Sequence, residues 1–359
     1  SISRELELTR LREPEVAALL GEIAPAHATG ELIAAASSIV GTAAGDIVDC
    51  GRMLRRRHDG ERTDTKAVLS WCIPYKGLVP LGRDDAGLYF GRAPLIEATI
   101  AHIHRHRFVA VVGPSGSGKS SALRAGVVPE VSDEPGRIII VTPPELAAVL
   151  HGLDDDAPAV VVDQFEELFT LWTDAQRRTL IDEVLTAFDR QRIRWLAIAV
   201  RADHFAHCAD HETLAHLVAD STVLVGAVSE RDLRDMIVGP ANAAGLQIEP
   251  GFADVVTRDL ADEPVPLPLL SHALMEAWRR RRFARLSIDD YRRVGGIRKG
   301  IARTAERAYS MQLDGEQQTL ARALLLRLVE PGEHQIETRR PLPLDEVRAT
   351  FGPEIDPVL

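Results

Sequence analysis

Cysteine is scarce: three in 359 residues, at Cys50, Cys72 and Cys208, with no CxxC pair and no even-numbered set. That excludes a disulfide framework and suits a reducing compartment, so the cytoplasm is the expected location. No apolar run approaches the ~18 residues of a membrane span, and the opening SISRELELTR is charged and carries no signal-peptide core. Neither insertion nor export is expected. Positive charge is in deficit, 42 Lys and Arg against 53 Asp and Glu for a net charge of −11. Such a balance argues against a general nucleic-acid coat while leaving room for a local basic patch. No repeat of fixed period is visible. What the chain does have is length for two or three packed units, and 45% apolar residues to fill their cores. It opens on Ser1 and stops at DPVL just after a helical pattern, as a piece of something longer would.

The most informative stretch is VVGPSGSGKSS, residues 111–121, where an apolar strand at 108–112 runs into a glycine-rich turn and then into a helix favoured by Ala122, Leu123 and Ala125. Gly113-x4-Gly118-Lys119-Ser120 fits the phosphate-binding P-loop pattern without a mismatch. A glycine/serine linker that happens to contain lysine has no reason to sit between a strand and a helix. Gly113, Gly116 and Gly118 permit backbone conformations that a Cβ would forbid, so the loop through Pro114, Ser115 and Ser117 can turn consecutive amides around a polyphosphate. The helix that follows points its positive dipole end at the same anion. Lys119 can reach the β- and γ-phosphates, the Ser120 hydroxyl can complete the shell of a Mg²⁺ that keeps several waters, and Ser121 ends the binding stretch.

Around this motif the chain alternates. Short apolar runs at 108–112, 137–141, 159–163, 195–200 and 222–225 read as parallel strands covered on both faces. Between them lie helices, among them 176–190 with Leu180, Ile181, Val184, Leu185 and Phe188 on one face. The fold class is α/β, a doubly wound parallel-sheet P-loop core. From Ser229 the strands stop, and helices at 230–237, 251–260 and 267–282 form a separate layer. After Leu286 come a short helix, a Gly295-Gly296 break, a longer helix and another at 317–329. The alternation Gln335-Ile336-Glu337-Thr338 before Arg339 and Arg340 suggests a small hairpin, so helices plus a wing are expected. The expected division is therefore 1–70, a helical segment of unknown role; 71–228, the nucleotide-binding α/β domain; 229–285, a helical domain; and 286–359, a winged-helix-like domain. In the first segment, 15–23 and 31–40 look helical. Arg52, Arg55, Arg56 and Arg57 read as a solvated helix end, with nucleic-acid contact as the alternative.

AVVVDQFEEL puts Asp163 at the end of a buried strand, a Walker B arrangement in which the carboxylate accepts hydrogen bonds from the waters of a phosphate-bound Mg²⁺. Metal-side candidates are thus Ser120 and Asp163. The next residue is Gln164, which can orient a water but is not a base, so proton acceptance falls to Glu166 or Glu167. If a helix starts near Gln164, Glu166 returns to the face overlooking the γ-phosphate, and Glu167, about 100° away, becomes its supporting neighbour and a partner for Arg201. Negative charge at a helix N-terminus is the alternative reading of both glutamates. Arg201, at the end of the fourth strand, is a candidate γ-phosphate sensor; a salt bridge to Asp203 or to the Walker B acids is the alternative. His102, His104 and His106, and the set His204, His207, Cys208 and His211 on one helical face, lack a carboxylate or CxxC partner and read as ordinary surface histidines rather than zinc ligands. Arg279 to Arg282 read as a helix end that favours cations, ahead of DNA contact. No NKxD follows the core and no LSGGQ is present, which argues against a GTPase and a transporter-type ATPase and favours adenine.

The ordered combination PYKGL, DDAGLYFGR, VGPSGSGKSS, VVVDQFEEL, AVRADHF, LVGAVSERDLRDMIVGPA, LPLLSHALMEAW and TRR resembles the type-one novel STAND NTPases over residues 72–347. These are bacterial signal-transduction ATPases related to AAA+ and NB-ARC proteins. The resemblance implies ATP and ADP as ligands, Mg²⁺ as cofactor, a helical and a winged-helix domain, slow turnover, and opening with homo-oligomerisation when ATP replaces ADP. It also implies effector and sensor modules, such as WD-type repeats, outside this chain. Carried over by residue, Phe90, Gly91 and Arg92 match the adenine-side motif and Pro268 the proline that lies against the base. Lys119 and Ser120 match the P-loop, Asp163 Walker B, and Arg201 the first sensor. Ala93 stands where that motif continues with Glu, and Val265 where Gly is usual upstream of LPLL. A nucleotide-loaded docking scaffold without turnover, and a winged-helix regulator that contacts DNA itself, are the competing readings.

Overall fold

The structure, a computed structural model, describes residues 73–131, 137–153, 157–261, 263, 266–281, 285–331, 337–339 and 342–359. The expectations placed on residues 1–70, and on Cys72, Val265, Arg282 and Arg340, lie outside them.

Five strands, β1 Phe108–Gly113, β2 Ile138–Val141, β3 Ala159–Val162, β4 Leu196–Arg201 and β5 Thr222–Leu224, form one sheet in the order β2-β3-β4-β1-β5. All pairings are parallel. Each strand lies within one residue of its expected ends, because a strand buried on both faces has no polar position to blur its limits. The pleat divides the side chains between two cores. Phe108, Ala110, Val112, Val160, Val162, Leu196, Ile198 and Val200 face one cluster. Val109, Val111, Ala159, Val161, Ala197 and Ala199 face the other.

Helices cover both clusters. On the first face lies α5, Asp174–Asp189, started by a reciprocal Thr173–Gln176 capping box and burying Leu180, Ile181, Val184 and Leu185. The other face receives Ile103 from α1, Ala93–His106, and Leu123, Val127 and Val128 from the helix after the P-loop. That helix, α2, opens as Lys119–Ser121, passes through a π-helical stretch Ala122–Val127 and closes with Val128–Glu130. The remaining α-helices described in this part are α3, Pro143–His151, α4, Glu167–Thr170, and α6, Glu212–Asp220, with 3₁₀ helices at Arg83–Leu88 and Ala202–Asp210.

A second core follows the sheet. Helices α7 Glu230–Ala243, α8 Phe252–Leu260, α9 Pro266–Arg280 and α10 Ile288–Arg293 bury Ile237, Phe252, Val256, Leu274, Trp278, Leu286, Tyr291 and Ile297 together. Helix α7 runs past its expected end at 237, continuing through Pro240. Strands do not stop at Ser229: Gln247–Ile248 and Arg285–Leu286, β6 and β7, pair in parallel. Two-residue strands carry too little alternation to register as a pattern.

The chain divides into two compact units at Ile297/Arg298. The second unit takes up helix α11, Gly296–Gln312, then has α12 Gly315–Arg327, an antiparallel pair β8 Val329–Pro331 with β9 Glu337–Arg339, α13 Leu344–Phe351 and a closing turn Pro353–Val358. Leu324, Val347 and Ile355 form its core. Of the expected small hairpin, Glu337 to Arg339 form one strand of this antiparallel pair, and Gln335, Ile336 and Arg340 lie outside the described residues. Among the described residues no helix is long and apolar enough to cross a membrane.

Candidate functional site

The phosphate loop is the turn between β1 and α2. Gly116 and Gly118 take φ of 73° and 90°, the left-handed region that favours glycine. At Gly113 the reason is space, since a Cβ would lie 2.9 Å from both Ser117 Oγ and Val225 Cβ. The Lys119 Nζ folds back over the loop and donates to the carbonyls of Gly113 at 2.8 Å and Pro114 at 2.9 Å. Burial lowers the pKa of this ammonium, and the Glu166 carboxylate nearby opposes that shift. Ser121 Oγ accepts from the backbone amide of Leu81 at 3.1 Å, tying the loop helix to the 74–81 segment.

Asp163 follows β3 and is 3% exposed. Strand β4 lies between β3 and β1, so Asp163 reaches the phosphate loop across it. Its Oδ1 accepts from Ser120 Oγ at 2.8 Å and from the Gln164 amide at 3.0 Å, and its Oδ2 pairs with Arg124 at 2.9 Å. Ser120 and Asp163 thus bring two hard oxygen donors together, a set that suits Mg²⁺. Arg124 is a residue the sequence reading missed. It lies one turn beyond Ser120, a spacing that could have flagged it.

The turn after Asp163 differs from expectation. Gln164 takes φ of 54°, so no helix starts there; α4 begins at Glu167, after a turn through Glu166. Even so, Glu166 faces the site: its Oε2 accepts from the Arg201 amide at 3.2 Å. Burial raises its pKa, against the pull of Lys119 and Arg201. The Glu167 pKa is raised by burial and then by the neighbouring Glu166 and Asp163. Glu167 does not hold Arg201. That guanidinium is gripped by Asp203, with Nε to Oδ1 at 3.0 Å, because the chain turns directly after β4 and returns the Asp203 side chain. Backbone register nevertheless places Arg201 opposite Gly113, at the mouth of the phosphate loop.

Beside the phosphate end lies a cavity of about 300 Å³, lined by the 74–81 segment, Tyr89, Phe90, Arg92, the P-loop helix start, Met236, Pro240 and residues of α9 including Pro268. Phe90 and Pro268 both line this cavity. Gly91 stands behind them with φ of 77°, and a Cβ on it would come 2.4 Å from the Asp232 carbonyl oxygen. Arg92 lines the cavity too. Its guanidinium turns to the phosphate loop, donating to the carbonyls of Ser117 at 3.3 Å and Gly226 at 3.1 Å. Sequence reasoning quoted PYKGL without giving it a role. In the structure Gly77 presses on Met275, where a Cβ would sit 2.6 Å from Sδ, and the Tyr75 hydroxyl donates to the Ile237 carbonyl. The segment is the cavity wall.

The histidines do not assemble a metal site. Residues 202–210 form a 3₁₀ helix, and Cys208 is buried with its thiol pushed up to about 12 by burial. Carboxylates do accompany these histidines, contrary to expectation: His211 meets Asp182 at 2.8 Å and His207 meets Asp210 at 3.5 Å. His102 bonds to Ser221. Among the described residues no group of three or more His, Cys, Asp or Glu could hold a metal ion.

The profile of the family described as Novel STAND NTPase 1 matches residues 74–359. Among curated proteins nothing matches the chain. Among solved structures, the Thermotoga maritima RuvB Holliday junction branch migration motor is similar with a TM-score of 0.43 at 14% identity, over 77% of this chain and 85% of that one. Domain III of the Thermotoga maritima replication initiation protein DnaA gives 0.42 at 13% identity, over 56% and 90%. A closed-state reconstruction of Hsp104 with ATPγS and FITC casein gives 0.43 at 14% identity, over 66% and 46%.

Proposed function

The chain belongs to the Novel STAND NTPase 1 family, and from that premise we propose that it is an ATP-binding, slowly hydrolysing signal switch, closed with ADP and opened to a homo-oligomer when ATP replaces it. The observation that carries this reading is the convergence of Lys119, Ser120, Asp163 and Glu166 on one strand edge beside an apolar cavity. In this reading the cavity takes adenine, with Phe90 and Pro268 against the base. Gly113 to Ser121 take the phosphates, with Arg92 bracing the loop through Ser117. Ser120 and Asp163 hold Mg²⁺, which when bound supplies positive charge to the phosphate oxygens. Glu166 accepts the proton of the attacking water, a task that a raised pKa suits. Glu167 supports it from behind. Arg201 reads the γ-phosphate after leaving Asp203. Gln164, in the position next to Asp163, supports slow turnover, since its amide takes up no proton.

The proposed organisation keeps residues 71–228 as the nucleotide-binding domain. Because Leu286, Tyr291, Val294 and Ile297 share the core of the helical domain, its end is better drawn at Ile297 than at 285. The hairpin Val329–Pro331 and Glu337–Arg339 supports a wing in the unit that follows. Cytoplasmic residence, and effector and sensor modules beyond this chain, complete the proposal. Calorimetry of ATP and ADP binding with Mg²⁺ tests it, together with phosphate release that disappears in Lys119→Ala and Asp163→Asn; no binding of either nucleotide would refute it. A second reading, a nucleotide-loaded scaffold without turnover, draws on the grip of Asp203 on Arg201. Nucleotide binding without any phosphate release would decide for it.

A further inference from the structure

Asp163 is the carboxylate on which the proposed metal site depends, and its second oxygen already has a cation. Arg124 Nη2 lies 2.9 Å from Oδ2, while Ser120 Oγ and the Gln164 amide occupy Oδ1. The pair is sheltered: the Asp163 side chain is 5% exposed and that of Arg124 33%. Arg124 projects from the π-helical stretch Ala122–Val127, and its Nε is buried without a hydrogen-bond partner. One edge of the guanidinium is thus spent on Asp163 and its Nε makes no hydrogen bond, with Glu145 in electrostatic reach, so that leaving Asp163 forfeits one ion pair.

We propose that Arg124 is a positioning residue that stands in for the metal's charge on Asp163. A bare carboxylate at this place repels the phosphates of a metal-free nucleotide; with Arg124 on Oδ2 that repulsion is cancelled, so a diphosphate binds without Mg²⁺. Were Mg²⁺ held by Ser120 and Asp163 beside a nucleotide, its charge and that of Arg124 would compete for the one carboxylate, and the guanidinium would loosen from Oδ2. The arrangement makes ADP retention independent of the metal and sets a competition that any metal must win. The inference rests on the nucleotide-switch reading and adds to it.

The test is calorimetric titration of ADP into the full chain, in Mg²⁺ and again in EDTA, for wild type, Arg124→Gln and Arg124→Lys. It is paired with titration of Mn²⁺ into the nucleotide-free proteins, followed by electron paramagnetic resonance. Wild type is expected to bind ADP about equally in both buffers. Arg124→Gln should lose on the order of tenfold in EDTA only, and bind Mn²⁺ on the order of tenfold more tightly, as a competing charge leaves a sheltered carboxylate. Arg124→Lys, which keeps the charge, should stay close to wild type and so separates charge from packing. If Arg124→Gln, shown by thermal unfolding to be folded, keeps the wild-type ratio of affinities in the two buffers, the proposal is overturned. If wild type binds no ADP in either buffer, the nucleotide reading itself is what has failed.

Discussion

Phe90 lies against Gly239: a Cβ on that glycine would come 2.4 Å from the Phe90 Cγ and 2.6 Å from its Cδ1. The absence of a side chain on α7 is what lets the ring line the cavity. Gly239→Ala should therefore push the ring out of place, offsetting the ordinary gain of alanine over glycine in a helix by an overpacking cost of about 1–3 kcal/mol. ADP affinity should fall, and Phe90→Ala on top of it should restore stability, a coupling that a double-mutant cycle of thermal unfolding measures. Additive effects would show that the two residues do not touch.

Gly91, next to Arg92 in the chain, and Gly226, whose carbonyl accepts from Arg92, make a paired test. Gly91→Ala forces an alanine into a left-handed conformation and into the Asp232 carbonyl, whereas a Cβ on Gly226 meets nothing within 4 Å. The first is expected to cost about 2–4 kcal/mol, from strain plus a clash with backbone that cannot rotate away. The second should stay within about 0.5 kcal/mol, as surface substitutions usually do. Denaturant titration separates the two.

Gln164 holds a non-glycine residue at φ of 54°. Left-handed backbone costs an ordinary residue about 1–2 kcal/mol, part of which glycine gives back through the entropy of the unfolded chain. Gln164→Gly should stabilise by about 0.5 kcal/mol and Gln164→Val, β-branched, should destabilise by more than that. A rise in melting temperature on Gln164→Val would contradict the strain.

Glu166 should show itself in pH dependence. Burial raises its pKa, so the folded protein takes up the proton more readily than the unfolded chain. Stability should then fall as pH rises from the ordinary carboxylate range through the raised value, and Glu166→Gln should lack that fall. Turnover runs the other way, because the base works only when deprotonated: its acid limb should sit above the ordinary glutamate range. Loss of a positioned base slows the chemical step by about 10²–10⁴-fold. Glu166→Gln should therefore keep nucleotide affinity and lose phosphate release, and Glu167→Gln should keep most of both. The opposite result would move the role to Glu167.

The sheet was readable because its strands are buried on both faces and show as uninterrupted apolar runs; the P-loop and Asp163 were readable because their chemistry demands fixed residue types at fixed spacing. What escaped has a different origin. The bend at Gln164 depends on how a chain turns after a strand, which many sequences do differently, whereas the grip of Asp203 on Arg201 was the alternative reading of that arginine. Arg124 faces Asp163 from within a π-helical stretch, and nothing in ALRAGV announces one. The 74–81 segment has no periodicity at all and becomes a wall only against Met275 and Ile237. The histidines at 204, 207 and 211 gained carboxylates from positions 182, 203 and 210, one of them on a distant helix.

Leu267, in the first turn of α9, would touch a Cβ on Gly118 of the phosphate loop at 3.2 Å. The helix that begins there is fifteen residues long, which at ~1.5 Å per residue makes a rod of about 22 Å. On the proposed nucleotide-switch reading it would act as a pointer with its pivot at the phosphate loop: a tilt of about 5° at the Leu267 end would displace the Arg280 end by roughly 2 Å, close to the shifts by which helices repack at interfaces. On that reading a gain or loss of one phosphoryl group, a change of ångströms at the loop, would be passed by the length of this single helix to whatever packs at its far end.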